Sequence, residues 1–175
     1  MGFTNLSLAW DDLPQAKLAS FQPIQAAYLK VLHIIWAISF SLLLIALILL
    51  FIFVEQLQHL HWIAIISIGY LFTLFATVLI GTGSFKRKSF AIREKDILYK
   101  TGWVFRHLNM VPFNRIQHCV VNSGPIERKF GLASLGIYTA ASEVHDIVIK
   151  GLSLQQAEQL NSFILGQIEK EETND

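Results

Sequence analysis

No Asp, Glu, Lys or Arg occurs between Lys30 and Glu55, or between Glu55 and Lys86. Helices that are apolar on every side have no face to turn toward water, so two such stretches in succession leave the chain few folds. Residues 31–54 carry only His33, Ser39 and Ser41 as clearly polar groups. A helix of that extent reaches about 36 Å and crosses a hydrocarbon core of roughly 30 Å. Residues 62–85 form a second span of the same length, richer in small residues: Ser67, Gly69, Thr73, Thr77, Gly81 and Gly83. The link from Glu55 to His61 is long enough only to turn a helical hairpin around.

The flanks set an orientation. The link carries no Lys or Arg, whereas Lys86, Arg87, Lys88, Arg93 and Lys95 follow the second span directly. Positive flanks remain cytoplasmic, and Lys17 and Lys30 precede the first span, so both termini are expected on the cytoplasmic side. Asp11 and Asp12 in the leader argue against the basic start of a cleaved signal peptide. Tyr28 and Trp62 fall where amphipathic rings anchor spans at the headgroup level.

Gly69, Thr73, Thr77 and Gly81 recur every fourth residue and predict a helix-packing stripe. Ala37 and Ser41 share this spacing with His33, so the two small faces are expected to meet inside the hairpin or to face a partner subunit. His33 has no carboxylate partner in either span, which favours a packing or interfacial histidine over a proton path.

After Lys86 the composition changes: residues 86–175 hold all but two of the basic residues and all but three of the acidic ones. Short apolar and aromatic runs at 89–93, 97–100, 103–110 and 115–121 predict an antiparallel meander, with Thr101-Gly102 as a hairpin turn. Pro125 and Gly131 bracket one short helical turn. Two more strands are expected, from the alternation Leu135, Ile137, Thr139, Ala141 and from the run 145–150. Ser153 and Gln156 form a capping-box signature ahead of a helix with Leu154, Ala157, Leu160, Ile164, Leu165 and Ile168 on one face. The organisation is thus a leader (1–28), a hairpin (29–85), a water-facing α+β domain (86–170) and an acidic tail (171–175).

A curled antiparallel sheet closed by one amphipathic helix resembles a pleckstrin-homology-like barrel. The resemblance sharpens at Pro112-Phe113-Asn114-Arg115-Ile116-Gln117 and at Gly124-Pro125-Ile126-Glu127-Arg128-Lys129-Phe130-Gly131-Leu132-Ala133-Ser134-Leu135. These runs are similar to the bacterial pleckstrin-homology-like domain of YdbS-like membrane proteins. The resemblance implies a multi-pass protein of the bacterial inner membrane, in families often paired with a larger membrane protein carrying related domains. It marks Arg115, Gln117, Arg128 and Lys129 as family-motif positions, of surface or structural use. The fold does not by itself imply a lipid ligand.

Catalytic machinery is not legible. Gly81-Thr82-Gly83 ends a span and is no phosphate loop, and no hydrolase elbow occurs. His118 and Cys119 are adjacent in a strand and point to opposite faces. One cysteine makes no intramolecular disulfide. His59 and His61 lack further ligands. A formal charge of +1 gives no footprint for nucleic acid. The expectation is a non-enzymatic protein without cofactor. Its domain is read as an interaction module docking the larger relative, or a second copy, in envelope protection or stress response. The alternative is an inner-leaflet lipid-binding or lipid-sensing protein that contacts headgroups through Lys86, Arg87 and Lys88.

Overall fold

The computed structural model describes residues 19–139 and 147–172. A two-residue strand β1 (Gln22–Pro23) precedes α1 (Ala27–Phe53). A 3-10 turn at Glu55–Gln58 leads into α2 (Leu60–Phe85), and both helices are long and apolar enough to cross a membrane. The domain follows as β2 (Ser89–Ile92), β3 (Asp96–Thr101), β4 (His107–Pro112), a 3-10 turn at Phe113–Arg115 and β5 (Ile116–Asn122). Then come α3 (Pro125–Lys129), β6 (Leu132–Thr139), β7 (Ile147–Ser153) and α4 (Leu154–Glu172). The expected strand positions at Ala141 and His145, most of the leader and the end of the acidic tail lie outside the described residues.

Two antiparallel sheets share the core. One has the order β1-β2-β3-β4, in which β2-β3-β4 is a meander and β1 joins across the two helices, and the other is the meander β5-β6-β7. Phe90, Ile97, Tyr99 and Val111 from the first sheet meet Leu135, Ile137 and Ile149 from the second. Ala157, Leu160 and Ile164 of α4 seal that core. The buried side of α4 is narrower than the periodicity predicted: Leu154 and Leu165 are exposed, while Ile168 packs on the core. The capping box forms as expected, since Ser153 Oγ accepts from Gln156 N and Gln156 Oε1 accepts from Ser153 N, both at 3.1 Å.

The run 103–110 is not one strand. Gly102, at φ +86°, turns the chain so tightly that a Cβ there would lie 1.7 Å from the Phe105 carbonyl oxygen. Residues 103–106 therefore form the tip of the β3–β4 hairpin, and pairing resumes at Thr101↔His107. An apolar tip has the composition of a strand, and composition alone cannot separate the two.

β1 was invisible in the sequence because two residues carry no periodicity. It pairs through Gln22↔Phe90 and Pro23↔Ser89, which brings the start of α1 to the same end of the domain as the exit from α2.

Candidate functional site

The two helix ends meet the domain in a second apolar cluster. Ile24, Tyr28 and Val31 pack on Leu132, with Phe85, Ile126 and Phe130 around them. Tyr28 is 4 % exposed. It is not the headgroup-level anchor that its place beside Lys30 predicted; its ring lies on Gly151, where a Cβ would come within 2.8 Å of Tyr28 Cγ. Polar ties reinforce the joint: Gln25 N donates to the Gly151 carbonyl at 2.8 Å, and Gln25 Nε2 donates to Gln156 Oε1 at 2.8 Å.

The three basic residues after α2 divide. Lys86 and Arg87 are exposed, whereas Lys88 is half-buried with its ammonium 5.7 Å from the centre of the Tyr28 ring. Burial, with Lys150 nearby, lowers the Lys88 pKa from the ordinary lysine value. Arg87 instead lines a cleft of about 360 Å³ with Lys100, Thr101, Arg106, His107 and Leu108. Lys100 Nζ sits 3.4 Å from the centroid of the Phe21 ring, a cation–π contact that fixes the ammonium. No carboxylate lines this cleft among the described residues. Beside it, Trp103 lies against the last turn of α2, where a Cβ on Gly83 would come within 2.6 Å of the indole. Val104 and Phe105 are 64 % and 77 % exposed.

The family-motif residues do not converge on one site. Arg115 is exposed at the end of the 3-10 turn that leads into β5 and borders a separate cleft with Met110, Pro112, Thr139 and Ile147. Among the described residues it makes no hydrogen bond or ion pair. The buried members of that motif are Phe113 and Ile116. Arg128 Nη2 reaches the Ser123 carbonyl at 3.3 Å, and Lys129 is exposed on α3. Glu127 closes the first turn of α3 by accepting from Gly124 N at 3.0 Å.

A register shift between Ile116 and His118 makes Gln117 a bulge residue. Gln117 and His118 consequently both face outward, and His118 stacks on Tyr138 at 4.5 Å. Cys119 turns inward against the core, and burial pushes its thiol up to about 11. The two side chains cannot work as a nucleophile and base.

The small-residue stripe splits. A Cβ on Gly81 would come within 2.2 Å of Trp36 Cζ2, so this position lets α1 approach. Gly69 has nothing within 4 Å, and Thr73 bonds back to the Gly69 carbonyl at 2.8 Å. A four-residue step overshoots one turn by about 40°, so Gly69 stands about 120° around α2 from Gly81. The inter-helix contact runs instead through Tyr70, whose hydroxyl donates to the Phe40 carbonyl at 3.1 Å. Ala37, Ser41 and His33 face outward, so of the two arrangements expected, the meeting of small faces inside the hairpin does not occur. The His33 ring meets its own helix at Trp36.

Two apolar helices clamped to a double antiparallel sheet with a closing C-terminal helix define a pleckstrin-homology-like domain with an attached helical hairpin. A family model described as Bacterial PH domain matches residues 24–168, and the chain belongs to that family. The match takes in the hairpin as well as the domain. No curated protein and no solved structure matches the chain.

Proposed function

We propose that this is a two-pass protein of the bacterial inner membrane whose PH domain is a non-enzymatic interaction module held on the inner leaflet, where it engages anionic lipid. The observation that carries the reading is the joint. Ile24, Tyr28 and Val31 of the incoming chain and Phe85 of the outgoing helix pack on one end of the domain. A domain fixed this way is held with that end against the surface from which the helices emerge, and Lys86 and Arg87 are exposed there. Each such cation contributes about 1 kcal/mol next to an anionic leaflet. The absence of charge in the 55–61 link apart from Glu55, set against the cluster after Phe85, supports the cytoplasmic orientation.

Sealed right-side-out vesicles test the placement. The domain is expected to survive external protease and to remain in the pellet after a carbonate wash; digestion from outside, or release by carbonate, refutes it.

A second reading, YdbS-like assembly with a larger membrane protein carrying related domains in envelope protection, draws on β4. This strand ends the first sheet and exposes Leu108 and Met110 on its surface. Crosslinking from an introduced cysteine at Met110 in native membranes tests it: a stoichiometric partner with PH-type domains is expected, and no crosslinked species rejects it.

A further inference from the structure

We propose that the cleft between the exit of α2 and the β3–β4 hairpin is a binding site for the phosphate of an anionic phospholipid headgroup, with the hairpin tip inserted beside it in the same leaflet. The proposal rests on the membrane-anchored reading above and gives it a ligand and a location. Lys86, Arg87 and Lys88, the headgroup contacts expected from sequence, contribute only Arg87 to this cleft. Lys100 joins it from β3 and Arg106 from the hairpin tip, and His107 at the start of β4 completes the rim.

Charge points to an anion. Three basic side chains share a cleft that no described carboxylate lines, so their mutual repulsion favours a negatively charged occupant. Two of the three are guanidiniums, whose fork geometry matches phosphate oxygens in pairs. Phe21 holds the lysine at the wall and lowers the ordering cost of binding.

Depth points to lipid as the source. The 26 residues of α2 extend about 39 Å, some 9 Å more than a hydrocarbon core of roughly 30 Å. Gly83 lies two residues before the end of α2, so the Trp103 ring packed on it sits at the boundary between hydrocarbon and headgroups. Trp is enriched at that level. Among the described residues no protein surface covers Val104 and Phe105, 64 % and 77 % exposed, at the tip of the hairpin. A bilayer covers them while Arg87, Lys100 and Arg106 stay at phosphate height. A soluble phosphate would use the cations and leave the apolar tip without a role.

The test uses the full chain in neutral detergent with an environment-sensitive fluorophore on Val104→Cys in a Cys119→Ser background. Dihexanoyl phosphatidylglycerol is titrated, with dihexanoyl phosphatidylcholine and inorganic phosphate as separate arms. A saturable blue shift is expected with phosphatidylglycerol alone. Arg106→Ala should weaken it about fivefold and Arg87→Ala/Lys100→Ala/Arg106→Ala roughly 150-fold, while Lys95→Ala, on the turn at the opposite end of the sheet, leaves it unchanged. Equal response to phosphatidylcholine, equal affinity for inorganic phosphate, or equal loss in Arg106→Ala and Lys95→Ala overturns the assignment. Orientation in a bilayer plays no part in this titration, so its failure leaves the two-pass topology standing, and a failed topology leaves the titration result standing.

Discussion

The contact between Tyr28 and Gly151 is the point at which hairpin and domain become one body, and a double-mutant cycle measures it. Gly151 has φ +76°, so Gly151→Ala costs about 1–2 kcal/mol in the backbone whatever surrounds it. Its new methyl also lands 2.8 Å from Tyr28 Cγ and 2.9 Å from Tyr28 Cβ. Tyr28 is buried and boxed in by Leu132 and Ile24, so the ring cannot swing clear, and overpacking adds about 1–3 kcal/mol. Tyr28→Ala alone empties the cluster at about 3–5 kcal/mol, by analogy with other large aromatic truncations. In Tyr28→Ala/Gly151→Ala the clash disappears while the backbone cost remains. The double variant is therefore about 1–3 kcal/mol less damaged than the sum of the singles. Thermal unfolding of the full chain in one detergent reads this, because 1 kcal/mol moves Tm by about 2–4 °C at this chain length. The double variant should melt about 2–12 °C above the additive expectation. Additivity to within about 0.5 kcal/mol would refute the claim that these residues touch and that the joint is packed.

Further outcomes follow from single positions. Gly81→Ala, whose methyl would meet Trp36, should destabilise the hairpin by about 1–3 kcal/mol; Gly69→Ala, with open space around it, should be neutral or stabilising by up to about 1 kcal/mol. Loss of Tm in both would mean that the outward small face packs against a second chain. Gln156→Ala removes the acceptor for both Gln25 Nε2 and Ser153 N and should cost about 1–3 kcal/mol by thermal melt, against about 0.5–2 for Ser153→Ala, which removes the cap acceptor alone. Burial raises the Cys119 pKa from 9.0 to about 11, so alkylation of the folded chain should keep accelerating about tenfold per pH unit beyond pH 9. A plateau near pH 9 would place the thiol in solvent. The sign for stability follows: the folded thiol binds its proton more tightly than the unfolded one, so this contribution is complete below about pH 9 and is lost as pH rises toward about 11.

Much of the architecture was legible because it depends on period and composition. Charge-free runs mark the two helices whatever surrounds them, and α4 follows from a cap and a 3.6-residue apolar repeat. The motif around Gly124–Leu135 identified a short helix between strands, and α3 occupies Pro125–Lys129 between β5 and β6. The β5 alternation correctly separated Cys119 from His118, though the bulge at Gln117 that turns two successive residues outward has no local signal.

Sites fared differently, since they are assembled from residues far apart in the chain. Sequence grouped Lys86, Arg87 and Lys88 because they are adjacent. Folding sends Lys88 over Tyr28 and brings Arg87 beside Lys100 and Arg106 through the pairing of β2 with β3 and the turn of the β3–β4 hairpin. The stripe of small residues read as one face, yet the 100° step of the helix turns Gly69 away from the partner that Gly81 touches. The sequence alone determined which segments shun water and which hydrogen-bond in strands or helices, because those properties follow from local periodicity. Only the tertiary structure decided that a two-residue strand and a buried tyrosine lock the hairpin to the domain, and that an apolar tip stands beside a cationic cleft. Both depend on which surfaces meet across the fold, and no short-range pattern encodes that.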